Sequence, residues 1–252
     1  MTIGVIGTGR FGKFWAELLA RRHTVRTYNR SDRPVPEGCQ SVTLEEIGRC
    51  DAVFLCTSIS SIVPVLNELV PHLRDGVVVL DTCSVKVYPT RSMREILPET
   101  VEVVGTHPMF GPDSGRNGIA GLPLVFAPVR CSGATADLWR QEFRSMGLAV
   151  SDLDPESHDR EAAFTQGVTH FVGRVLADMA LVPSDIATIG YRQLLSVMEQ
   201  TCNDPYQLFE DLQRFNPYTT QMRLKLQQSL NRVLDSLESS PESRLDTGSR
   251  QT

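Results

Sequence analysis

A glycine-rich turn at the start of the chain constrains the fold more than any other feature. Residues 3–12 read Ile-Gly-Val-Ile-Gly-Thr-Gly-Arg-Phe-Gly, an apolar run followed by glycines spaced as GxGxxG. The run indicates a buried strand, and a helical pattern follows from Lys13. Gly7 permits the tight bend, Gly9 leaves room for a pyrophosphate, and Gly12 lets the helix pack against the strand. The pattern therefore predicts a dinucleotide-binding turn in which these residues contact the cofactor: Gly7, Thr8, Gly9, Arg10, Phe11 and Gly12. The plainer alternative is a glycine-rich turn without a ligand.

Strands and helices alternate over the first 152 residues. Strands are predicted at 24–28, 52–56, 77–80, 101–104, 123–127 and 148–153, and helices at 10–22, from Ser60 or Ser61 to 73, up to 97, and at 135–146. This alternation predicts an α/β fold with a doubly wound parallel sheet. Ligands of such sheets bind beyond the carboxyl ends of the strands.

After Asp154 the sequence pattern changes from alternating strands and helices to helices alone. Residues 155–179 read as one long helix, and three more helical stretches follow to about residue 237. We therefore predict a nucleotide-binding domain over 1–152 and an all-helical domain over 153–238. Residues 239–252 are polar and poor in apolar side chains, so we expect a disordered tail there.

Composition excludes several classes of protein. The net charge of −5 gives no general attraction to nucleic acid or to an anionic membrane. No apolar run approaches the roughly 20 residues that cross a bilayer, and the first strand begins where a signal or transit peptide would stand. The six cysteines are scattered without a CxxC pair, which favours reduced thiols in a cytoplasm and argues against a metal site.

The end of the second predicted strand bears on the choice of cofactor. A dinucleotide-binding domain for NAD usually has a carboxylate about 20 positions after the glycines. Residues 28–31 instead read Tyr-Asn-Arg-Ser, and Arg33 follows. Arg30 can pair with a 2′-phosphate, and Asn29 and Ser31 can donate hydrogen bonds to it, so we expect NADP. A solvated basic turn is the plainer reading. Cys56, Thr57 and Ser58, which end the third predicted strand, are expected beside the cofactor.

His107 is the leading candidate for catalysis. It stands in a predicted loop, residues 105–115, after the fifth strand, where an imidazole can act as a general base at neutral pH. Ser84 and Lys86 follow the fourth strand, and we expect them near the nicotinamide, with Ser84 hydrogen-bonded to His107 or to the reacting hydroxyl. The plainer readings are a loop histidine, a turn serine and a solvated lysine.

The predicted helical domain offers three more candidates. Gln166 and His170 are four residues apart on one helix and share a face beside small neighbours. They can face a ligand, or His170 can be a structural histidine. Asp204 stands at a break between helices, where it can cap the next helix or receive a cationic amine.

Taken together, these segments resemble the prephenate/arogenate dehydrogenase family, and its plant-type branch in particular. The matching stretches are GVIGTGRFG, DTCSVK, THPMFGPDSG, NGIAGLP, TQGVTH, Gly190-Tyr191 and the run from Glu199 to Pro217. The resemblance implies a Rossmann-type domain followed by a helical domain that forms a homodimer, and oxidative decarboxylation of a cyclohexadienyl substrate in tyrosine biosynthesis. It implies catalysis by His107 and Ser84, and substrate binding by six residues: Ser84, His107, Ser114, Gln166, His170 and Asp204. An acid at Asp204 implies arogenate, which carries an ammonium, over prephenate.

Two other functions compete with this one. A β-hydroxyacid-type dehydrogenase uses a lysine on the first helix of its second domain, but lysines occur here only at positions 13, 86 and 225. An NADP-binding sensor without catalytic activity is the alternative outside the enzymes, and His107 together with the Gln166–His170 pair argues against it.

Overall fold

A single sheet runs through the first two thirds of the molecule. The computed structural model describes residues 1–238, and within them eight strands pair in the order β3-β2-β1-β4-β5-β6-β7-β8. All neighbours are parallel except β6 and β7. The strands are β1 (Thr2–Ile6), β2 (Thr24–Tyr28), β3 (Cys39–Ser41), β4 (Ala52–Leu55), β5 (Val78–Asp81), β6 (Glu102–Pro108), β7 (Pro123–Arg130) and β8 (Ala149–Asp152). The direction of winding reverses between β1 and β4, which confirms the doubly wound α/β sheet and places a ligand crevice there.

Helices cover the sheet and then continue alone. Those connecting the strands are α1 (Arg10–Ala20), α2 (Leu44–Gly48), α3 (Ile62–Leu69), α4 (Val87–Ile96), α5 (Pro112–Gly115) and α6 (Gly133–Ser145). After β8 the described chain is helical: α7 (Pro155–Ala162), α8 (Val168–Asp178), α9 (Ile189–Cys202), α10 (Tyr206–Phe215) and α11 (Thr219–Glu238). The change from strands to helices falls at Asp152.

Each face of the sheet has its own apolar core. On one face the rings of Trp15, Phe54 and Phe143 pack together, with ring centroids 5.8 Å apart for Trp15–Phe54 and 6.4 Å for Phe54–Phe143. On the other face Ile62 and Leu66 of α3 are fully buried. Because both faces are covered, the central strands are nearly unbroken apolar runs, and their carboxyl ends are held rigidly at one edge.

Three predicted elements differ in the structure. β6 extends to Pro108 because β7 pairs with it antiparallel, so His107 lies in a strand and not in a loop. Between the strands predicted at 24–28 and 52–56 the structure adds β3, a three-residue edge strand too short to show a periodic pattern. The predicted helix over 155–179 is interrupted by a π-helical turn at Ala163–Gly167.

The helix predicted from Ser60 or Ser61 begins without a serine cap. α3 begins after a short 3-10 turn, and the Ser61 side chain makes no capping hydrogen bond but lies 2.6 Å from the Ser58 hydroxyl. The predicted tail, residues 239–252, lies outside the described residues. Within residues 1–238 no helix is long and apolar enough to cross a membrane, and no cluster of three or more His, Cys, Asp or Glu is placed to hold a metal ion.

Candidate active site

The glycine turn between β1 and α1 has the geometry of a phosphate cradle. Gly7 has φ +94°, and a Cβ there would lie 2.6 Å from the Cys56 carbonyl oxygen. A Cβ on Gly12 would lie 1.9 Å from the Gly7 oxygen, so only glycine allows this close packing. A Cβ on Gly9 would meet nothing within 4 Å, which leaves open space in front of the first N–H groups of α1. The turn therefore fits a dinucleotide pyrophosphate.

A polar cavity of about 120 Å³ lies at the carboxyl end of β2. Its lining includes four predicted cofactor residues: Asn29, Arg30, Ser31 and Arg33. The Asn29 side chain ties the cavity to the glycine turn, because its Oδ1 accepts a hydrogen bond from the Thr8 N–H at 3.0 Å and its amide donates to the Ser31 hydroxyl at 2.9 Å. Asp32 lines the cavity as well, a carboxylate that the sequence argument passed over.

The loop after β4 forms the floor of the crevice. Cys56 packs directly beneath Gly7 and Gly12. The Thr57 hydroxyl is buried without a hydrogen-bond partner among the described residues, whereas Ser58 is exposed and contacts Ser61. Cys56 and Thr57 thus lie against the turn.

The segment after β5 corrects one prediction. Lys86 is fully buried, and its ammonium pairs with the Asp81 carboxylate, so it has no surface left for a cofactor. The same carboxylate accepts hydrogen bonds from the N–H groups of Cys83 at 2.9 Å and Thr106 at 3.2 Å. Asp81 therefore joins β5 to β6, and Lys86 neutralises its charge. Ser84 is also buried, but its hydroxyl makes no hydrogen bond to His107 and has no partner within residues 1–238.

His107 lies near the carboxyl end of β6 with 3% of its surface exposed. Its Nδ1 is 2.9 Å from Nε2 of His158, and Nδ1 of His158 is 2.8 Å from Oδ1 of Asp159. Burial, followed by the positive charge that His158 and Lys86 can carry, lowers the pKa of His107 well below 6.5. The imidazole is therefore neutral at physiological pH, as a general base must be.

His158 and Asp159 are not among the residues predicted from the sequence. Both are buried in α7, where the Asp159 carboxylate accepts the backbone N–H groups of Lys86 at 2.6 Å and Val87 at 2.9 Å. These bonds hold the first turn of α4 against α7. An adjacent His-Asp pair on the helix that leads to Gln166 and His170 was the available signal.

Gln166, His170 and Arg174 form a polar stripe, at four-residue spacing, along the π-helical turn and α8. Gln166 Oε1, His170 Nδ1 and Arg174 Nε are buried, and no described residue is hydrogen-bonded to any of these atoms. Burial lowers the pKa of His170, while nearby Asp204 acts in the opposite direction. Arg174 was missed by the sequence argument; it donates to the backbone oxygens of Thr201 at 3.2 Å and Asp204 at 2.9 Å.

Asp204 does not cap α10. Its carboxylate is half-buried and lies 3.4 Å from Nη1 of Arg10, which also donates to the Asn203 oxygen at 2.9 Å. Arg10 reaches Asp113 through Nη2 at 2.9 Å, so it bridges the glycine turn to both the α5 segment and the helical region. Burial is the largest influence on Asp204 and raises its pKa, although His170 and Arg10 oppose the rise.

Ser114 lies on the outer side of this bridge. It is exposed and lines an open polar cavity of about 640 Å³ together with Asp113, Gln200 and Asn203. The structure therefore brings His170 and Asp204 together and links them to Arg10, but it leaves Ser114 toward solvent.

The fold and site define a nicotinamide-dependent dehydrogenase with a Rossmann-type sheet. The model of the prephenate dehydrogenase nucleotide-binding domain matches residues 31–122, and that of a TYRAAT1-like C-terminal domain matches residues 175–248. Arogenate dehydrogenase 2, chloroplastic, of Arabidopsis thaliana is 34% identical over 92% of this chain, which spans 69% of that relative. The chain belongs to the arogenate/prephenate dehydrogenase family and is an oxidoreductase.

Two solved structures share the fold. The arogenate dehydrogenase of Synechocystis is 21% identical, with a TM-score of 0.71 over 94% of this chain and 92% of its own. The prephenate dehydrogenase of A. aeolicus, solved with hydroxyphenyl propionate and NAD+, is 18% identical, with a TM-score of 0.74 over 95% and 92%. Both superpose over nearly the whole chain, the helical region included.

Proposed function

We propose that this protein is an NADP-dependent arogenate dehydrogenase, which converts L-arogenate to L-tyrosine and carbon dioxide in tyrosine biosynthesis. The observation that carries the proposal is His107: a neutral, buried imidazole at the same sheet edge as the glycine turn. Among residues 1–238 none is hydrogen-bonded to its Nε2, so this nitrogen is free to accept a proton. The remaining roles below belong to the same proposal.

The reaction needs a base, a hydride acceptor and a dry site. His107 takes the proton of the substrate's 4-hydroxyl while the carbinol carbon gives up a hydride. A bound nicotinamide supplies the acceptor for that hydride. Loss of carbon dioxide then makes the ring aromatic, and His107 returns its proton to the resulting phenolate oxygen. Ser84, whose buried hydroxyl lacks a partner within residues 1–238, is assigned to the same substrate oxygen.

Substrate choice rests on Asp204. A half-buried carboxylate attracts the ammonium of arogenate and repels the keto acid of prephenate. Gln166 and His170, with their unpartnered polar atoms, would contact the substrate from α8 and the turn before it. Prephenate dehydrogenase remains the alternative, because Arg10 already neutralises part of the charge on Asp204.

Cofactor choice rests on the cavity at the end of β2. Arg30 and Arg33 have no hydrogen-bond or ion-pair partner within the described chain, so both are free to bind a 2′-phosphate. Asp32 between them opposes an anion but does not remove the excess of positive charge. We assign the preference to NADP on this balance.

The wider organisation is proposed on two observations. Exposed apolar side chains are concentrated after β8, including Val182, Ile186 and Ile189, with exposed fractions of 65%, 92% and 76%. We therefore assign residues 1–152 to the cofactor domain and residues 153–238 to a helical domain that forms a homodimer. All six cysteines are free thiols, which suits a reducing compartment such as the cytoplasm.

Steady-state kinetics with both substrates and both cofactors test the proposal. We expect the highest kcat/KM for L-arogenate with NADP+, with equal amounts of reduced cofactor and carbon dioxide formed. A higher value for prephenate would establish the alternative. Binding of NADP+ without reduction by either substrate would identify a sensor and end the proposal.

A further inference from the structure

We propose that His158 and Asp159 are positioning residues which set the tautomer of His107 and share the proton that His107 takes from the substrate. The inference rests on the proposed dehydrogenase activity. It is carried by the chain of hydrogen bonds from His107 Nδ1 to His158 Nε2, at 2.9 Å, and from His158 Nδ1 to Asp159 Oδ1, at 2.8 Å.

The direction of each hydrogen bond follows from Asp159, the last residue of the hydrogen-bonded series. Asp159 accepts two backbone N–H groups, as an ionised carboxylate does, so it also accepts the Nδ1–H of His158. With His158 neutral, its Nε2 carries a lone pair and accepts the Nδ1–H of His107. Only Nε2 of His107 is left as a lone pair, and this is the atom that a general base requires.

The hydrogen bonds from His107 to His158 and Asp159 also explain how a weakly basic His107 can act as a base. Burial makes His107 a poor acceptor, because burial lowers its pKa well below 6.5, and a positive charge on His158 or the ammonium of Lys86 lowers it further. A base so weak transfers a proton inefficiently. When the substrate's O–H proton binds His107 Nε2, the Nδ1 proton can move to His158 Nε2, which leaves the positive charge on the imidazole next to Asp159.

The proton is held only between two steps. The substrate O–H bond breaks as an Nε2–H bond forms on His107. The Nδ1–H bond of His107 breaks as an Nε2–H bond forms on His158. Decarboxylation produces a phenolate oxygen, and the same transfers run in reverse to protonate it. The relay ends the cycle as it began, with no proton gained or lost.

The charged groups around the relay come from three elements. Lys86 lies before α4 and is paired with Asp81 of β5, while His158 and Asp159 belong to α7. Lys86 opposes a positive charge on His107, and Asp159 favours one on His158. The arrangement therefore places the proton on the imidazole that is hydrogen-bonded to the carboxylate.

The pH profile of kcat/KM for L-arogenate is the first test. His158→Gln keeps an acceptor for the Nδ1–H of His107 but cannot take the proton, so we expect a loss on the order of tenfold or more in kcat. The acidic limb of the profile should move to lower pH, because the weaker base is protonated only there, while KM changes little. Asp159→Asn should move the limb in the same direction.

A matched control and a second measurement complete the design. His72→Gln makes the same substitution in the turn after α3 and should reproduce the wild-type profile. Because the chain has five histidines, their 15N NMR signals in the intact protein can be assigned, and we expect His107 to carry its proton on Nδ1. This measurement needs no substrate.

The outcomes separate the two proposals. An unchanged acidic limb in His158→Gln, whatever happens to KM or to thermal stability, would reduce His158 to a packing residue. An Nε2–H tautomer of His107 would overturn the relay as well. If the wild-type protein oxidises neither arogenate nor prephenate, the proposed function fails, and the NMR result still decides the hydrogen-bond direction.

Discussion

Two histidines in different halves of the chain are buried to a similar extent but differ in their partners. His107, in the sheet, is hydrogen-bonded to His158 and through it to Asp159. His170, on α8, has a buried Nδ1 without a partner among the described residues, as does Gln166 Oε1 one turn earlier. Within the described residues only Nε2 of His107, the nitrogen assigned to the substrate, is left unpaired in the first cluster, so that cluster is complete on its protein side, and the second is not. The difference separates a preorganised base from a surface that a substrate completes.

The energetic argument supports this division. A buried polar atom without a partner costs about 1–3 kcal/mol, so folding alone does not favour such atoms. Eight buried side-chain atoms within residues 1–238 lack partners, and five of them belong to the candidate site: those of Thr57, Ser84, Gln166, His170 and Arg174. Their concentration there indicates a polar ligand.

The largest expected effect comes from replacing His107, the proposed base in the first cluster. In His107→Asn, turnover should fall by roughly 10²- to 10⁴-fold, the usual contribution of a positioned general base. NADP+ affinity should change little, because His107 is not among the residues of the glycine turn or of the β2 cavity. Pre-steady-state reduction at 340 nm and cofactor titration measure the two quantities. Unchanged turnover would remove His107 from the mechanism.

Substitution in the second cluster, that of Gln166 and His170, should weaken substrate binding without lowering the stability of the fold. Gln166→Leu removes a buried oxygen that has no partner among the described residues, so the free energy of unfolding should stay equal or rise by about 1 kcal/mol, while KM rises about tenfold. Thermal unfolding and steady-state kinetics check this.

Gln213→Leu is the matched control. Gln213 donates to the Gly167 oxygen at 2.8 Å and accepts from Arg223 at 2.8 Å, so its loss should destabilise the fold. If both variants lose the same stability, Gln166 has a partner after all, and the contrast between the clusters disappears.

The sequence predicted the elements that have a local pattern better than those that depend on pairing between distant segments. The strands β1, β4 and β5 have strong apolar patterns, and the glycine turn has a spacing that only one backbone geometry explains. The extension of β6 depends on pairing with β7, which lies about 20 residues away along the chain, and no local pattern encodes it. His107 was therefore placed in a loop, although at the correct edge of the sheet.

The site shows the same limit at the level of side chains. His107, Gln166 and His170 could be singled out by residue type and spacing. The burial of Lys86 with Asp81, and of His158 and Asp159 against α4, depends on contacts across elements far apart in sequence. Sequence spacing carries no information on such pairs, so Lys86 was assigned to the cofactor and the relay was missed.

Asp204 tests whether His170 lies beside the substrate's charged group. In Asp204→Asn the ratio of kcat/KM for arogenate to that for prephenate should fall about tenfold, because the ammonium loses its counter-charge. Asp113→Asn is the control: it also removes a carboxylate from Arg10 but should leave the ratio unchanged. An unchanged ratio in Asp204→Asn would make the aspartate only a partner of Arg10.

Arg30 extends the comparison to the cofactor. Like the atoms near His170, its guanidinium has no partner in the described part of the chain, so Arg30→Ala should cost little stability. The affinity for NADP+ should fall about tenfold and that for NAD+ much less, since only the former has a 2′-phosphate. Arg49→Ala, in an exposed pair with Glu45, should affect neither cofactor. An equal loss for both would refute the phosphate assignment.

The smallest effect, the pH dependence of stability, compares the two histidines directly. Burial lowers the pKa of both below 6.5 in the folded state, so the unfolded chain binds protons more readily. Their contribution to stability is full above about pH 6.5 and is lost progressively as the pH falls through the lowered folded values, by about 1.4 kcal/mol for each pKa unit of lowering.

Chemical denaturation between pH 5 and pH 8 measures this loss of stability, and glutamine variants show how much of it each histidine contributes. His107→Gln should flatten the curve more than His170→Gln, because the pKa of His107 is lowered further and Asp204 lies near His170 alone. Equal flattening would mean that Asp204 does not offset the burial of His170. The carboxylate assigned to the substrate's ammonium would then be too far from the stripe to act with it.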